Sequence, residues 1–443
     1  MFLFHFPSRN SGLLKPGEMC LVLGCPGAGC TTFLKSIANE RTSFAGVRGD
    51  VRYAGISHDE MLKYYKGEVV YNEEGEDFYL QLVNTSSPLS FVDDHHIATL
   101  TVAQTLDFAL NIKAPGPKGR LPGVKHAEFV NEIRDHLLRM LNISHTKQTL
   151  VGDEFVRGVS GGERKRVSIA EMMTTRARVQ SWDNSTRGLD ASTALDLIKS
   201  LRIMTDVLGQ TTFVSLYQAG EGIYDLFDKV MIIDRGHQVY FGPASEARAY
   251  FERIGYNPLP RQSTADYLTG CTDPNERQFA PGRSAADVPS TPDALEEAFR
   301  ASRYYTDMMD TLEKYKIRQA EEKSDQEAFR MAVLDDKKKG VSKKSPYTLG
   351  FWGQVKVLTV RQFQTRIQDK FQLYTSFGLT TALAFTLGAA YFDLPTTASG
   401  GFTRGGILFI TLLIVMLEAF AEIPLMMLGR SILNKQVTVW SFH

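Results

Sequence analysis

The sequence predicts an α/β domain followed by an α-helical membrane segment. Over residues 1–275, short apolar runs alternate with longer amphipathic ones, the pattern of an α/β domain. A glycine-rich turn at 24–31 joins one apolar run to a helix-like segment. Two runs near the C-terminus, about 373–392 and 405–428, are apolar and long enough to span a bilayer. We therefore expect a cytosolic domain attached to two membrane spans.

The composition excludes several classes of protein. Lys plus Arg equals Asp plus Glu, at 50 each in 443 residues, so no whole-chain field favours nucleic acid. Four cysteines are too few for a disulfide scaffold. Three of them (Cys20, Cys25 and Cys30) have a spacing that matches no familiar zinc pattern. We interpret the cysteines as free thiols in a reducing cytosol.

Apolar periodicity predicts the individual elements of the α/β domain. Met19–Leu23 is a buried strand, and Thr31–Ala38 is the helix that follows the glycine-rich turn. Further helices are predicted at Thr101–Lys113 and Glu128–Leu141, and further strands at Thr212–Tyr217, Val230–Asp234 and His237–Phe241.

The composition changes beyond the α/β domain. Residues 276–348 are charged and predict a cytosolic linker, within which Leu312 to Lys344 predict a solvated helix with a flexible tail. Apolar residues at helical spacing, broken by basic ones, predict an interfacial elbow helix at 349–370. Residues 371–443 form a partial transmembrane domain, and the basic residues flanking its spans place both ends on the cytosolic side.

Two acidic residues interrupt the second span. Glu418 and Glu422 are four residues apart and so share one helix face. Because charge is costly in hydrocarbon, these residues either line a translocation route or, with Arg430 nearby, have a structural role at the helix end.

The turn at 24–31 (GCPGAGCT) has the layout of a phosphate-binding loop, G-x-x-x-x-G-K-[ST], with one change. Its glycines let backbone N–H groups close around phosphate oxygens, and the helix N-terminus adds positive potential. Thr31 has the hydroxyl that would contact Mg²⁺. Cys30 stands where lysine is expected, and the lost charged contact is worth roughly 1.5–3 kcal/mol.

Two further motifs support a nucleotide site. Val159–Glu163 (VSGGE) precedes an Arg/Lys-rich helix, and its Ser-Gly-Gly turn presents backbone donors to an anion such as a γ-phosphate. Asp183 ends a predicted strand, the usual place for a carboxylate that holds Mg²⁺ beside a phosphate loop.

The order and spacing of these motifs resemble the ATP-binding cassette family, in the fungal pleiotropic drug resistance branch of the ABCG exporters. The resemblance covers nearly the whole chain, from about Gly12 to Gln436. It implies a P-loop NTPase-like cassette with a helical subdomain at 1–275, and ATP and Mg²⁺ as cofactors. The phrases that carry it are GCPGAGCTTFLK, GEVVYNEE, LTVAQTLDFAL, VSGGERKRVSIAE, WDNSTRGLDAST, SLYQAGEGIYDLFDKVMIIDRGHQVYFGP, RQFQTRIQDKF and AEIP.

The resemblance assigns a role to each matched residue. Asp183 is the Walker B carboxylate and would hold Mg²⁺ together with Thr31. The residues assigned to the nucleotide are Gly24, Gly27, Ala28, Gly29, Cys30, Thr31 and Thr32 of the Walker A loop, and Asp190 of the D-loop. The signature residues assigned to act in trans on a partner cassette are Ser160, Gly161, Gly162 and Glu163.

Four catalytic positions depart from the family pattern. Besides Cys30, Asn184 replaces the glutamate that polarises water, Tyr217 replaces the switch histidine, and Glu74 replaces the Q-loop glutamine. An amide cannot accept a proton as a carboxylate does. This combination is similar to the N-terminal cassettes of full-length pumps, whose own site binds nucleotide with little turnover while their signature completes the active site of the second cassette. We therefore expect a hydrolytically weak cassette.

The chain also differs from the family in two segments. Residues 78–96 are an insertion, either a retained intron or a surface loop, and peptide mass spectrometry of the native protein would distinguish the two. We interpret its Asp93, Asp94, His95 and His96 as solvated polar residues rather than a metal cluster. The adenine-stacking aromatic residue is missing or replaced. Phe2, Phe4 and Phe6 are candidates, but we expect a frayed terminus there.

The resemblance implies the ATP-binding half of an exporter of hydrophobic compounds, multi-pass in the plasma membrane with a cytosolic cassette. Its partners would be the bilayer, a second cassette, further membrane helices and a hydrophobic substrate. Because the family continues beyond two spans, we expect a truncated gene model or a chain that needs partners. The alternatives are a silent binding or regulatory protein, a non-functional fragment, or a self-sufficient ATPase homodimer, against which Asn184 and Tyr217 argue.

Overall fold

The strands of the protein form two sheets. This computed structural model describes residues 2–6, 10–41, 44–72, 96–338, 340–343, 345–392, 400–428 and 432–433. Glu74 and the predicted insertion up to residue 95 lie outside the described residues. The strands are β1 (Phe2–Phe6), β2 (Asn10–Leu14), β3 (Met19–Leu23), β4 (Asp50–Tyr53), β5 (Ile56–Ser57), β6 (Val69–Asn72), β7 (Val179–Asp183), β8 (Thr211–Ser215), β9 (Lys229–Asp234) and β10 (His237–Pro243).

Helices surround the sheets and make up the C-terminal part of the chain. Nine of those described belong to residues 1–275: α1 (Cys30–Ile37), α2 (His58–Tyr64), α3 (Val102–Lys113), α4 (His126–Met140), α5 (Gly161–Met173), α6 (Ala191–Leu208), α7 (Glu221–Tyr224), α8 (Ala244–Ile254) and α9 (Thr264–Thr272). The others are α10 (Pro292–Arg300), α11 (Arg303–Glu321), α12 (Ser324–Asp336), α13 (Phe351–Gln368), α14 (Lys370–Ala390) and α15 (Gly400–Leu428).

The larger sheet has the strand order β10-β9-β3-β8-β7-β6. All of its neighbours pair in parallel except the β9–β10 hairpin at one edge. Parallel strands in such a sheet are buried on both faces, and every residue of β3, β7 and β8 is indeed buried. The predicted strands and helices of this part are confirmed, with ends that differ by at most two residues.

The N-terminal segment is a core strand, so the predicted frayed terminus was wrong. β1 pairs in antiparallel fashion with both β2 and β4 in the smaller sheet, whose order is β2-β1-β4-β5. Phe2 and Phe4 are 1% and 0% exposed, and the ring of Phe2 lies 5.3 Å from that of Phe213 on β8. These two phenylalanines join the sheets and therefore cannot stack on a nucleotide base.

A helical layer carries the VSGGE segment. A capping box of Thr101 and Gln104 starts α3, and Arg134 of α4 donates to both carboxylate oxygens of Asp107 on α3 at 2.8 and 3.0 Å. His96 also belongs to this layer. Its side chain is buried, and its Nε2 atom lies 2.9 Å from Ser168 Oγ on α5, within hydrogen-bond distance. The prediction that His96 is solvated was therefore wrong.

The charged linker packs on the α/β domain, so the prediction of a fully solvated helix within 312–344 was wrong. Leu295 and Phe299 of α10 are buried in the main core. On α12, Phe329 contacts Tyr65 edge-to-face at 5.4 Å, and Asp336 forms an ion pair with Arg178 at 3.4 Å. The prediction relied on the high charge of the linker and gave too little weight to the few apolar residues that attach it to the α/β domain.

Three helices occupy the positions predicted for the elbow and the two spans. In the part of the chain that the structure describes, α14 is the one helix long and apolar enough to cross a membrane. Within α15, Gly401–Leu417 is a shorter apolar stretch. The side chains of Glu418 and Glu422 lie outside what the structure describes. α13 contacts α3, where the guanidinium of Arg361 lies 4.0 Å from the ring centroid of Phe108.

Candidate nucleotide-binding site

The site lies at the carboxyl edge of the larger sheet, where three neighbouring strands end. Val22 of β3 pairs with Ser215 of β8, and Ser215 pairs with Asp183 of β7. The glycine-rich loop follows β3, and Asn184 follows β7 directly. Ligands of open parallel sheets bind outside the carboxyl ends of the strands, so this edge is where a nucleotide is expected.

The glycine-rich loop has the shape of a phosphate cradle. Gly27 and Gly29 have φ values of 81° and 106°, a left-handed backbone that favours glycine. A Cβ atom at Gly27 would meet no heavy atom within 4 Å, so there is open space beside this turn. Gly29 is the N-cap of α1 and no side chain caps that helix. The first N–H groups of α1 and its positive dipole end therefore suit an anion.

Behind the cradle, the loop is packed tightly against the sheet. A Cβ atom at Gly24 would lie 2.5 Å from the carbonyl oxygen of Ile233 on β9. Ala28 is 3% exposed, and its carbonyl accepts a hydrogen bond from Gly236 N at 2.7 Å. These contacts fix the loop, so its backbone can hold phosphate oxygens with little rearrangement. Ala28 thus supports the loop from the side of the core.

Cys30 brings no positive charge to the cradle. Burial, and to a smaller extent the nearby Asp183 carboxylate, raise the pKa of its thiol to about 12. Its sulfur lies 3.0 Å from the Cβ position of Gly24, so it faces the base of the loop. The next two residues, Thr31 and Thr32, are exposed at the start of α1. The thiol is therefore neutral at physiological pH, and positive potential comes from the backbone.

Asp183 is the buried acid of the site. It is 1% exposed, and both carboxylate oxygens accept hydrogen bonds from hydroxyl groups. Tyr71 donates to Oδ2 at 2.8 Å and Ser215 donates to Oδ1 at 2.5 Å. The sequence did not identify Tyr71 or Ser215, although both stand at strand ends beside the predicted Walker residues. A polar residue at the carboxyl end of a neighbouring parallel strand was the signal available.

Two positions at which the family has water-activating residues carry neither a carboxylate nor an imidazole in this chain. The backbone of Asn184 has φ 44°, and its N–H donates to the hydroxyl and carbonyl of Ser215 at 3.0 and 3.1 Å. Tyr217 follows β8 and is 61% exposed. The structure places both near the end of β8, and neither has the chemistry of a general base.

The VSGGE segment begins α5 on the helical layer. Ser160 and Glu163 form a capping box in which Ser160 N donates to Glu163 Oε2 at 2.8 Å. That backbone hydrogen bond, with His145 beside it, lowers the pKa of Glu163. Gly161 and Gly162 are exposed, and a Cβ atom on either would meet nothing within 4 Å. The turn therefore faces outward and is free of intrachain packing at the glycines.

Asp190 has a local role in this structure. It is the N-cap of α6, where Oδ2 accepts from Thr193 N at 3.1 Å and Oδ1 accepts from the Thr193 hydroxyl at 2.6 Å. These hydrogen bonds lower the pKa of Asp190, which is exposed. An N-cap aspartate fixes the start of a helix, so this residue sets the course of the turn after Asn184.

The site fits a nucleoside triphosphate and a hard divalent cation. The open left-handed turn and the uncapped helix suit phosphate oxygens. Thr31 offers an exposed hydroxyl and Asp183 a carboxylate, the oxygen ligands that Mg²⁺ prefers. Both carboxylate oxygens of Asp183 already accept a hydrogen bond from a hydroxyl group, so fewer of their lone pairs are available to a cation or its bound water.

Comparison with known proteins agrees with this geometry. Residues 9–187 match the family profile described as ABC transporter, and residues 353–439 match the one described as ABC-2 type transporter. The chain is 52% identical over 432 residues to "ABC multidrug transporter I" of Aspergillus fumigatus, covering 98% of this chain and 28% of the relative.

Relatives outside Aspergillus show the same pattern. "ABC multidrug transporter SNQ2" of Candida glabrata is 42% identical, covering 98% of this chain and 27% of the relative. "ABC transporter G family member 15" of Dictyostelium discoideum is 42% identical, covering 97% of this chain and 27% of the relative. The chain thus spans little more than a quarter of the length of these relatives. The chain belongs to the ATP-binding cassette transporter family, with an ATP-binding domain and an ABC-2 type membrane region, and resembles its fungal multidrug members.

Proposed function

We propose that this chain binds ATP with Mg²⁺ at a degenerate site and lends its signature turn to the active site of a partner cassette. The proposal rests on the combination of a preorganised phosphate-binding loop with the absence of the usual catalytic side chains. The glycine-rich loop is open and preorganised for phosphate, yet none of Cys30, Asn184 and Tyr217 supplies a charge or a base. Such a site can hold a nucleotide and has little means of activating water.

The contributions to binding follow from the loop and the strand edge. Backbone N–H groups in the first turn of α1, which no side chain caps, would receive the phosphates. Thr31 and Asp183 would hold Mg²⁺, which, when bound, neutralises phosphate charge. The hydroxyl of Ser215 orients the Asp183 carboxylate from the other side. Turnover is expected to be slow because the site has no carboxylate after Asp183.

The outward-facing signature turn supports a role in trans. Ser160, Gly161 and Gly162 are exposed at the start of α5, and a Cβ atom on either glycine would meet nothing within 4 Å. An anion approaching that helix end meets N–H groups and a positive dipole. A γ-phosphate held by a second cassette fits this position.

The membrane region extends the proposal to transport. Phe371 and Phe385 of α14 are 82% and 77% exposed, which suits contact with lipid or with further membrane helices. The relatives named multidrug transporters suggest export of hydrophobic compounds, and we place the chain in the plasma membrane with the cassette (1–275) in the cytosol. The linker (276–348), the elbow (349–370) and the membrane part (371–443) complete the proposed organisation.

Restoring the missing lysine tests whether the loop holds phosphate. Cys30→Lys should tighten ATP binding by the full chain in detergent roughly tenfold or more, because it adds a charged contact to the phosphates. Cys30→Met is the matched control, since it adds length without charge and should bind no better than the unmodified chain. Equal affinities of the lysine and methionine variants in an equilibrium binding assay would contradict the proposed phosphate site.

A further inference from the structure

Tyr71 lies between helix α1 and the buried acid of the site. Its hydroxyl donates to Asp183 Oδ2 at 2.8 Å, and the ammonium of Lys35 on α1 lies 5.5 Å from its ring centroid. We infer that Tyr71 is a positioning residue that keeps the Asp183 carboxylate partly satisfied, so that this cassette binds ATP with little dependence on Mg²⁺. The inference rests on the proposed ATP-binding function.

The fold holds Tyr71 in this place from two sides. In the parallel pair of β6 and β7, Tyr71 lies opposite Ser181, and Asn72 lies opposite Trp182. The amide of Asn72 donates to Ser185 Oγ at 2.7 Å, and both side chains are buried. This bond ties the end of β6 to the segment just after Asp183. The Tyr71 hydroxyl therefore cannot leave Asp183 by a simple shift of the strand.

The two hydroxyl donors change what the carboxylate can do. Ser215 satisfies Oδ1 and Tyr71 satisfies Oδ2, so each oxygen already accepts one hydrogen bond at a buried position. Hydrogen bonds to a charged acceptor are strong, and they lower the attraction of the carboxylate for another donor or cation. A cation, or water bound to it, must therefore share one of these oxygens with Tyr71 or Ser215, or displace one of the two hydroxyl groups.

Removing the hydroxyl oxygen of Tyr71 tests whether this residue competes with Mg²⁺ for the Asp183 carboxylate. Affinity for ATP is measured for the full chain in detergent, first in excess Mg²⁺ and then in a chelator, and the ratio of the two affinities is the readout. We expect a ratio below roughly threefold for the unmodified chain and of roughly tenfold or more for Tyr71→Phe. A purely structural role for Tyr71 would lower both affinities and leave the ratio unchanged.

Tyr64→Phe is the matched control. Tyr64 also has a lysine near its ring, with the ammonium of Lys63 at 5.2 Å from the centroid, but it lies on α2 away from Asp183. Its variant should keep the ratio of the unmodified chain. If Tyr71→Phe does not fold, Tyr71→Met removes the same hydroxyl donor and should raise the ratio likewise.

The outcomes separate this inference from the proposed function. ATP binding with the same Mg²⁺ ratio in the unmodified chain and in Tyr71→Phe overturns the inference and leaves the ATP site standing. A large ratio already present in the unmodified chain overturns it as well. A chain that binds no ATP in either condition overturns both. A ratio that increases only when the Tyr71 hydroxyl is removed supports the inference.

Discussion

Replacing Gly24 with alanine should weaken ATP binding by roughly 5- to 150-fold. The new methyl group would lie 2.5 Å from the carbonyl oxygen of Ile233 and 2.8 Å from Cβ of Ala28, and both distances are shorter than any normal contact of a Cβ atom. The first of these is backbone in the central sheet, so the loop must move instead. Overpacking of this kind costs about 1–3 kcal/mol, and the cost falls on the conformation that binds phosphate.

Gly46→Ala is the control for this substitution. A Cβ atom at Gly46 meets nothing within 4 Å, and its φ is not in the left-handed region, so the variant should bind ATP normally. Both variants are measured by equilibrium ATP binding and by thermal unfolding of the full chain. A folded Gly24→Ala protein with unchanged affinity would show that the loop does not hold the nucleotide.

The second large effect is expected at the signature turn. Gly162→Asp should reduce ATP hydrolysis by the complex with an intact partner cassette about 100-fold or more, because it puts a negative charge where a γ-phosphate would be bound. ATP binding by this chain alone should not change. A Cβ atom at Gly162 meets nothing within 4 Å, so the substitution causes no clash within the chain. An aspartate near a helix N-terminus is, moreover, compatible with folding.

Gly222→Asp provides the matched control. Gly222 is also exposed near the start of a helix, α7, and a Cβ atom there also meets nothing within 4 Å. Its variant should leave hydrolysis by the complex unchanged. The measurement is steady-state phosphate release by this chain combined with a cassette that carries the Walker lysine, the glutamate and the switch histidine. Full hydrolysis by the Gly162→Asp complex would sink the proposed action in trans.

Local patterns predicted the central part of the fold well. The strand Met19–Leu23 and the helix after it follow from a run of apolar residues, a glycine turn and helical spacing, all within about 20 residues. The same holds for the hairpin of β9 and β10, whose turn residues stand between two apolar runs. Signals that are local in sequence are sufficient for elements whose burial is complete on both faces.

The predictions that were wrong concern residues whose contacts are with residues distant in the sequence. Phe2 is held by Tyr53 across the smaller sheet and by Phe213 in the larger one, neither of which a terminal apolar pentapeptide reveals. His96 looks solvated beside the other polar residues of its segment, yet it contacts Ser168 on α5. Phe329 of the charged linker reaches Tyr65. Tertiary packing decided each of these positions.

For the candidate site, the sequence indicated residue types and the structure added their surroundings. The phosphate loop, the buried acid and the signature turn were all recognisable as motifs, and their roles remain predictions. What the motifs could not show is that Tyr71 and Ser215 satisfy both oxygens of Asp183, or that the Cys30 thiol faces the base of the loop. Those facts depend on the register of parallel strands brought together across the sheet.

The central claim is that this cassette holds ATP and scarcely turns it over. It is tested most directly by measuring ATP binding and ATP hydrolysis on one sample of the unmodified full chain in detergent, without a partner cassette. We predict saturable binding with phosphate release no greater than that of the Gly24→Ala control sample. Steady hydrolysis by the unmodified chain, or the absence of saturable binding, would contradict the account.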